Sequence, residues 1–240
     1  MSSRPKRSGE PDEAHHRHGA FFGRRKGHPL RARQVELFGS LLPLLALDLT
    51  EPPPDNLAGL FASPADDVRL EIGFGGAEHL IAQARASPRT GFIGCEPFVN
   101  GMAKALVAID EHRLGNIRLH HGDAVALIAW LPANSVARVD LLYPDPWPKR
   151  RHWKRRFVSD ENVAALARIL VPGGEFRFAT DWANYAEWTL LRLLRSRDFT
   201  WTAARADDWR RPWPGFGGTR YEAKAVREGR APTYLAFRRS

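Results

Sequence analysis

Four acidic residues of the sequence each stand at or just past the end of an apolar run. They are Glu71, Glu96, Asp123 and Asp145. Carboxylates accept hydrogen bonds, so Glu96 suits a pair of ribose hydroxyls and Asp123 suits an adenine amino group. If the apolar runs are neighbouring strands of one sheet, their carboxyl ends share an edge and the four acids line one rim. Such a rim predicts a site for a ligand that contains a nucleoside.

A glycine-rich turn follows the first acid, in the sequence Glu71-Ile-Gly-Phe-Gly-Gly-Ala77. Gly73 and Gly75 let the backbone turn sharply and let a ligand approach without a Cβ in the way, although strand–helix packing alone also explains such glycines. A dinucleotide fingerprint needs glycine where Glu78 stands, and a carboxylate at a helix start repels a pyrophosphate. The turn therefore favours a cationic sulfonium, as in S-adenosyl-L-methionine, over a nicotinamide dinucleotide.

The fourth acid, Asp145, lies in a stretch of alternating prolines, Tyr143-Pro-Asp-Pro-Trp-Pro-Lys149. The prolines predict an extended, stiff backbone that presents Asp145 beside Trp147. If the methyl acceptor is guanine, its N7 has a lone pair and no proton, so methylation needs positioning and electrostatics rather than a base. We hypothesise that Asp145 accepts from the N1–H and N2–H₂ edge of the base and supports the developing positive charge. Trp147 is either a gripping partner for the base or a packing residue that supports Asp145.

A dense cationic block continues the proline stretch. It comprises Lys149, Arg150, Arg151, Lys154, Arg155 and Arg156, with His152 and Trp153 between them. Such a block predicts contacts with nucleic-acid phosphates, and a solvated helix start is the alternative. Near the N-terminus, a second cationic cluster beside two phenylalanines predicts an arm that contacts nucleic-acid backbone; its residues are Arg24, Arg25 and Lys26. The net charge of +9 and the isoelectric point near 10.3 also favour an anionic partner.

The composition favours one cytoplasmic domain preceded by a tail. The 240 residues with 43% hydrophobic content suffice for one substantial core. No apolar run approaches the roughly 20 residues of a membrane span, and the N-terminus is charged rather than typical of a signal peptide. The single cysteine, Cys95, fits a reducing compartment. The tract His15–His18 lacks cysteine or carboxylate at ligand spacing, so no metal site is predicted, and no obligate protein partner is indicated.

Apolar periodicity predicts an α/β fold over residues 31–240, after a basic and mostly disordered arm at 1–30. The predicted strands are 68–72, 90–96, 117–120, 136–143, 175–180, 199–203 and 233–237. Helices are predicted between them, one of them with Ser159 as its N-cap and Pro172-Gly-Gly174 as its stop, and an earlier helix is expected to end at Pro43. This alternation is typical of a doubly wound, Rossmann-like sheet that is mostly parallel with an antiparallel late strand and has helices on both faces.

Two further features concern the last third of the chain. Asp181 follows Thr180 at the end of the fifth predicted strand, where it is either a substrate contact or the N-cap of the next helix. Residues 207–230 are rich in tryptophan, proline and glycine, which predicts a structured, lid-like loop. Within it, Trp209 and Trp213 are interpreted as packing residues, with base stacking as the alternative.

Taken together, several motifs closely resemble those of the bacterial tRNA (guanine-N7-)-methyltransferases, a family of class I S-adenosylmethionine-dependent enzymes that modify guanine 46 in the variable loop of tRNA. The resemblance covers most of the chain from about Phe21 to Phe237. It rests on Gly23-Arg-Arg-Lys-Gly27, Glu71-Ile-Gly-Phe-Gly75, Gly94-Cys-Glu96, Gly122-Asp-Ala124, Pro144-Asp-Pro-Trp-Pro-Lys-Arg-Arg-His152, Thr180-Asp181 and Thr219-Arg-Tyr-Glu222.

The resemblance implies a function and a set of contacts. The implied S-adenosylmethionine contacts include the acids Glu71, Glu96, Asp123 and Asp145, with Asp145 also the catalytic residue. The implied tRNA substrate contacts are Lys149, Asp181, Thr219, Arg220, Tyr221 and Glu222, and the segment Lys149–Arg155 would lie against the RNA. Ala77 departs from the wider methyltransferase pattern, which has a third glycine there, and its methyl group is expected to narrow the cofactor approach slightly.

Other functions remain as alternatives at this stage. A methyltransferase on this fold could act on another RNA or on protein. A non-catalytic RNA-binding protein would retain the sheet without the cofactor, but the four strand-end acids argue against it. A nicotinamide-dependent dehydrogenase is disfavoured by Glu78.

Overall fold

A seven-stranded sheet forms the centre of the computed structural model, which describes residue 23 and residues 27–240. The strands run in the order β3-β2-β1-β4-β5-β7-β6, and β7 alone runs in the opposite direction to the other strands. Their bounds are β1 Asp67–Ile72, β2 Thr90–Cys95, β3 Ile117–His120, β4 Val136–Leu142, β5 Leu170–Thr180, β6 Phe199–Trp201 and β7 Thr233–Arg239. The predicted doubly wound sheet with an antiparallel late strand is confirmed.

Helices and short 3₁₀ turns connect these strands. The α-helices are α1 Ala32–Ser40, α2 Leu42–Leu45, α3 Glu78–Ala86, α4 Val99–His112, α5 Ala124–Trp130, α6 Asp160–Ile169, α7 Ala183–Arg195, α8 Asp207–Arg210 and α9 Arg220–Arg227. The 3₁₀ turns span Leu57–Leu60 and Arg150–Arg155. Ser159 is the N-cap of α6 as predicted, because its side chain accepts from the Asn162 amide. Arg24, Arg25, Lys26 and nearly all of the predicted arm lie outside the described residues.

Two hydrophobic layers cover opposite faces of the sheet. Successive residues of a strand point to opposite sides, and the neighbouring residues Phe92 and Ile93 of β2 belong to different layers. Ile93 packs in the layer that includes α5, α6 and α7, whereas Phe92 packs in the layer that includes α1, α3 and α4. The sheet is therefore anchored on both faces, and the residues at its carboxyl edge have a rigid support.

Two expected helix ends were wrong. The first helix ends at Ser40, and Pro43 lies in the first turn of α2, where a missing N–H costs no hydrogen bond. Further along, α6 ends at Ile169 and β5 begins directly at Leu170. Pro172-Gly-Gly174 lies inside β5, where the pairing with β4 is irregular and Gly173 has a φ of +77°. This segment acts as a bulge rather than as a helix stop.

A charged layer lies on the face of β1, β4 and β5 that is next to α3. Arg138 donates to Asp140 at 2.8 Å and to Gln83 of α3 at 2.9 Å. Arg177 of β5 lies 5.2 Å from the ring centre of Trp213. This part of the sheet is therefore covered by a polar side chain of α3 and by the late segment, residues 213–230, rather than by an apolar helix face.

Within residues 27–240, no helix is both long and apolar enough to span a membrane. The same residues contain no group of three or more histidine, cysteine or acidic side chains arranged to hold a metal ion.

Candidate active site

The candidate site lies where the strand order reverses. β1 pairs with β2 on one side and with β4 on the other, so the crevice at the carboxyl ends of β1 and β4 is the switch point of the sheet. Ligands of doubly wound sheets bind at this position. Glu71 comes just before the last residue of β1, and Glu96 directly follows β2. Asp123 and Asp145 lie in the loops after β3 and β4. The predicted rim of strand-end acids is thus assembled at one edge.

Glu71 is the acid most firmly held by another side chain. It is only 5% exposed, and its carboxylate lies 2.7 Å from Nδ1 of His79, which is itself 2% exposed. Burial raises the pKa of Glu71, although the charge and the hydrogen bond of His79 partly oppose that rise. For His79, burial disfavours the charged imidazole, but the charge and hydrogen bond of Glu71 outweigh it and raise the pKa of His79. The pair ties β1 to the first turn of α3 beneath the glycine turn.

Glu96 fastens the glycine turn from the side of β2. Its Oε2 accepts from the Gly75 amide at 2.6 Å, and its Oε1 accepts from the Phe98 amide at 2.9 Å. Burial raises its pKa, and the charges of Asp145 and Glu71 add to the effect. Because a carboxylate has about four acceptor positions, each oxygen of Glu96 keeps one for a ligand hydroxyl.

Asp123 combines a structural bond with a free acceptor position. Its Oδ1 caps α5 by accepting from the Val125 amide at 3.0 Å. The carboxylate is half-buried at the rim, and its other oxygen remains suited to an amino donor. Asp123 therefore fits the adenine-binding role expected from the sequence.

The glycine turn has the backbone that the sequence predicts. Gly73 has a φ of +69° and Gly75 a φ of +55°, values that favour glycine. Among the described residues, no heavy atom beyond its chain neighbours lies within 4 Å of where a Cβ of Gly73 would be. The open space above Gly73 and the acceptors of Glu96 and Asp123 fit a nucleoside with a cationic tail.

Ala77 affects the backbone rather than the cofactor approach. Its φ is +65°, so it adopts the left-handed conformation that glycine would adopt freely, at a cost of about 1–2 kcal/mol. The residue is fully buried in the apolar layer that contains Leu80 and Ile81. Its methyl group thus packs in the core, and the expectation that it narrows the ligand approach was wrong.

Asp145 is exposed at the end of the rim, in a loop that is less uniformly extended than the prolines suggest. Tyr143 has a φ of +50° and Trp147 a φ of +43°. Such non-glycine conformations cost about 1–3 kcal/mol each and persist only where the surroundings hold them. Partial desolvation raises the pKa of the Asp145 carboxyl group. Trp147 packs against Arg155, whose guanidinium lies 4.9 Å from its ring centre, so its role includes packing.

The cationic block forms the 3₁₀ turn Arg150–Arg155, not an α-helix start. Its most exposed members point away from the sheet; they are Lys149, Arg150, Arg151 and Lys154. His152 and Trp153 are half-buried, and the Trp153 ring lies edge-on to Trp188 at 5.5 Å between ring centres. The exposed cations therefore form the surface beside Asp145 that is available to a polyanion.

The late segment closes over the glycine turn. Thr219 caps α9 by accepting from the Glu222 amide at 3.1 Å. Arg220 forms an ion pair with Glu78, and a Cβ added at Gly75 would lie 2.9 Å from the Tyr221 ring. Burial raises the pKa of Tyr221, and the charges of Glu96 and Asp145 contribute to the shift. The predicted substrate residues of α9 thus lie directly above the predicted cofactor residues.

Asp181 and Glu222 each have a donor from the last part of the chain. Arg230 Nε donates to Asp181 Oδ2 at 2.5 Å, and the Tyr234 hydroxyl donates to Glu222. The interpretation of Asp181 as an N-cap is wrong, because Trp182 occupies that position and α7 has no side-chain cap. Asp181 is therefore free of a helix-capping role and lies at the rim.

Sequence reasoning missed the partners of the rim. His79 and Arg230 hold Glu71 and Asp181, but neither stands at a spacing from its acid that a local motif would reveal. The alternation of charged and apolar residues in β4 and β5 did carry a signal, since a strand covered by apolar helices on both faces is continuously hydrophobic. That alternation indicates the polar layer beneath the late segment.

Sequence comparisons agree with this geometry. The profile of a family described as "Putative methyltransferase" matches residues 65–235. A tRNA (guanine-N(7)-)-methyltransferase of Rhodopseudomonas palustris strain BisB5 is 60% identical over 228 residues, which cover 95% of this chain and 89% of that protein. A protein of the same name from Bradyrhizobium diazoefficiens is 61% identical over 221 residues, covering 92% and 94% of the two chains.

Solved structures show the same fold. The structure of the 16S rRNA methyltransferase KamB superposes with a TM-score of 0.57 at 18% identity, over 79% of this chain and 95% of that one. TrmN from Thermus thermophilus gives a TM-score of 0.51 at 17% identity, over 77% of this chain and 48% of that one. These likenesses show the fold of the sheet. The sequence relatives and the family profile show the family: the chain belongs to the tRNA (guanine-N7-)-methyltransferase family.

Proposed function

We propose that this protein transfers a methyl group from S-adenosylmethionine to N7 of guanine 46 in the variable loop of tRNA. The observation that carries the proposal is the position of Asp145. It lies at the switch point of the sheet, between an acidic rim suited to the methyl donor and a turn of exposed cations suited to RNA. Family membership supports both halves of this assignment.

The rim acids hold the methyl donor in the proposal. Glu96 accepts from the ribose hydroxyls with the acceptor positions that its backbone bonds leave free. Asp123 accepts from the adenine amino group, and Glu71 orders the base of the turn through His79. Gly73 and Gly75 give the ligand a close approach to the backbone. When bound, S-adenosylmethionine supplies an electrophilic methyl group on a cationic sulfur.

Asp145 positions the guanine. Its carboxylate accepts from the N1–H and N2–H₂ edge, which turns N7 toward the methyl donor without any need for proton removal. The same negative charge stabilises the positive charge that develops on the purine. Asp181 and Glu222 contact the nucleotide in the proposal, and the Tyr221 ring lies against Gly75 of the cofactor turn.

The tRNA backbone lies along the cationic turn. Lys149, Arg150 and Arg151 begin directly after the Asp145 loop and are exposed. Contacts from such residues fix the register of an RNA through its phosphates. Sequence specificity then comes from a target base in a loop, where an unstacked nucleotide can enter the site.

Nucleoside analysis tests the function directly. Unmodified tRNA is incubated with the protein and labelled S-adenosylmethionine, digested, and separated by chromatography with mass detection. The proposal expects 7-methylguanosine, absent when guanine 46 is replaced by adenine. Label in another nucleoside, or equal label in both tRNAs, would refute the assigned target.

A further inference from the structure

Arg156 ends the cationic block but differs from the rest of it in location. It is only 5% exposed, whereas Arg150, Arg151 and Lys154 are exposed. Its backbone amide donates to the Trp153 carbonyl at 3.0 Å and closes the 3₁₀ turn. A guanidinium so enclosed cannot lie along an RNA backbone, so the charge of Arg156 serves another purpose.

Hydrogen bonds from Arg156 join the loop after β4 to the helix after β5. Nε donates to the Pro146 carbonyl at 2.9 Å. Nη2 donates to Oδ1 of Asn184 at 2.8 Å, and Nη1 lies 3.5 Å from the backbone oxygen of the same residue. Asn184 belongs to the first turn of α7, which starts just after Asp181. The guanidinium thus links the two loops that carry Asp145 and Asp181.

Aromatic rings surround this guanidinium. Its central carbon lies 4.7 Å from the ring centre of Tyr185, 4.9 Å from that of Trp153 and 5.2 Å from that of Trp188. Among the described residues, the side-chain hydrogen bonds of Arg156 go to oxygens of Pro146 and Asn184 and not to a carboxylate. Cation–π contacts and carbonyl acceptors, rather than an ion pair, therefore hold the charge in place.

The proline loop needs such a donor. Pro144, Pro146 and Pro148 have no N–H, so the loop can be fastened mainly through its carbonyl groups. In sequence, the carbonyl that Arg156 binds lies between Tyr143 and Trp147, the two residues of this loop that have left-handed backbone. Strained conformations of this kind persist only where neighbouring groups hold them.

We propose that Arg156 is a positioning residue for Asp145: it fixes the Pro146 carbonyl, and through it the Asp145 carboxylate, without contacting tRNA. The inference rests on the proposed role of Asp145 in orienting guanine. It assigns one arginine of the cationic block to the geometry of the chemical step and leaves its exposed members to RNA binding.

The test is Arg156→Lys, which keeps the charge but loses the planar group that reaches Pro146 and Asn184 together. The single-turnover rate at saturating tRNA and S-adenosylmethionine is expected to fall about tenfold or more, since small misplacements of a reacting geometry have large effects on rate. The tRNA dissociation constant and its salt dependence are expected to stay the same. Arg195→Lys, at an exposed position of α7, is the matched control and should change neither quantity.

Arg151→Ala serves as the comparator for a phosphate contact. It should reduce the slope of log affinity against log salt by about one. If Arg156→Lys gives that pattern, Arg156 is an RNA contact and the proposal fails. If its rate per folded molecule, normalised by S-adenosylmethionine-binding stoichiometry, equals that of the wild type, Arg156 is merely structural and the proposal also fails.

A second variant protects the test against misfolding. Asn184→Ala removes one acceptor at an exposed helix start and should slow the saturated step about two- to fivefold, as expected for one hydrogen bond. In the Arg156→Lys background, Asn184→Ala should slow the saturated step little further. The wild-type reaction in the same assay distinguishes a failure of the proposed function from a failure of the positioning role of Arg156. If the wild-type protein forms no 7-methylguanosine, the proposed function is refuted. If the wild-type protein forms it and Arg156→Lys forms it at the same rate, only the positioning role of Arg156 is refuted.

Discussion

The carboxyl ends of β1 to β4 and the late segment Trp213–Arg230 meet above Gly75, but they are held in place differently. The rim acids Glu71 and Glu96 are buried and bonded to a neighbouring helix or to backbone amides. The start of the late segment packs through Trp213 and Phe216 against Tyr234, but α9 reaches the rim through side-chain pairs such as Arg220–Glu78, whose side chains are 42% and 39% exposed.

This difference separates a preorganised region from an adjustable one. Exposed ion pairs contribute about 0–1 kcal/mol each, so the contacts of α9 with the glycine turn are weak. Glu96 is instead buried, and its carboxylate is bonded to two backbone amides, those of Gly75 and Phe98. A rigid rim suits a small cofactor, and a loosely attached segment suits a large substrate that must enter and leave.

The largest expected effect is on the rim. Asp145→Asn keeps the shape of the side chain but removes the charge that we propose supports the methylated purine. Turnover should fall about 10²-fold or more, while the calorimetric dissociation constant of S-adenosylmethionine should change far less. Asp55→Asn, at an exposed position before β1, is the control. Unchanged turnover of Asp145→Asn would place the chemistry elsewhere.

A smaller loss, confined to RNA binding, is expected when exposed cations of the 3₁₀ turn Arg150–Arg155 are replaced. Replacing Arg150, Arg151 and Lys154 together by alanine should weaken tRNA binding on the order of tenfold or more and lower the salt slope by about two to three. Filter binding at several salt concentrations measures both quantities. An unchanged slope would show that these exposed cations do not contact phosphates.

The pH profile should report the environment of Asp145. Desolvation raises its pKa above the ordinary value of 3.8, and the proposed role requires the ionised form. Turnover should therefore be constant above that raised pKa and fall as the pH drops through it, with an inflection above pH 3.8. Asp145→Asn should lack this inflection in kcat. Its persistence in the variant would assign the titration to another group.

The smallest effect is expected where the two regions touch. Glu78→Gln removes the partner of Arg220 and loosens α9 over the glycine turn. Stopped-flow measurement should show S-adenosylmethionine dissociating faster, by no more than about fivefold because the pair is exposed. A loss of turnover at saturation as large as that of Asp145→Asn would mean that the late segment is part of the rigid frame.

The same contrast explains what could be predicted from the sequence. The strand-end acids were predictable because the end of an apolar run and the carboxyl edge of a parallel sheet are the same place. The glycines at 73 and 75 were predictable because a sharp turn with positive φ is adopted most readily by glycine. Both features depend on neighbours along the chain.

The features of the site that the sequence does not reveal depend on pairings between distant parts of the chain. Arg230 meets Asp181, and Glu78 meets Arg220, 142 positions away. No local pattern encodes such contacts. The burial of Arg156 was equally hidden, because it ends a run of cationic residues and part of the enclosure comes from the rings of Tyr185 and Trp188 in α7, distant in sequence.

The division between the two regions is tested most directly by a matched pair of substitutions. Glu96→Gln and Glu222→Gln each remove one charge and keep a hydrogen-bond acceptor. The dissociation constants of S-adenosylmethionine and of tRNA are measured for both variants. We expect Glu96→Gln to weaken cofactor binding and leave tRNA binding unchanged, and Glu222→Gln to do the reverse. If both variants weaken the same ligand, the rim and the late segment are one site, and the account is contradicted.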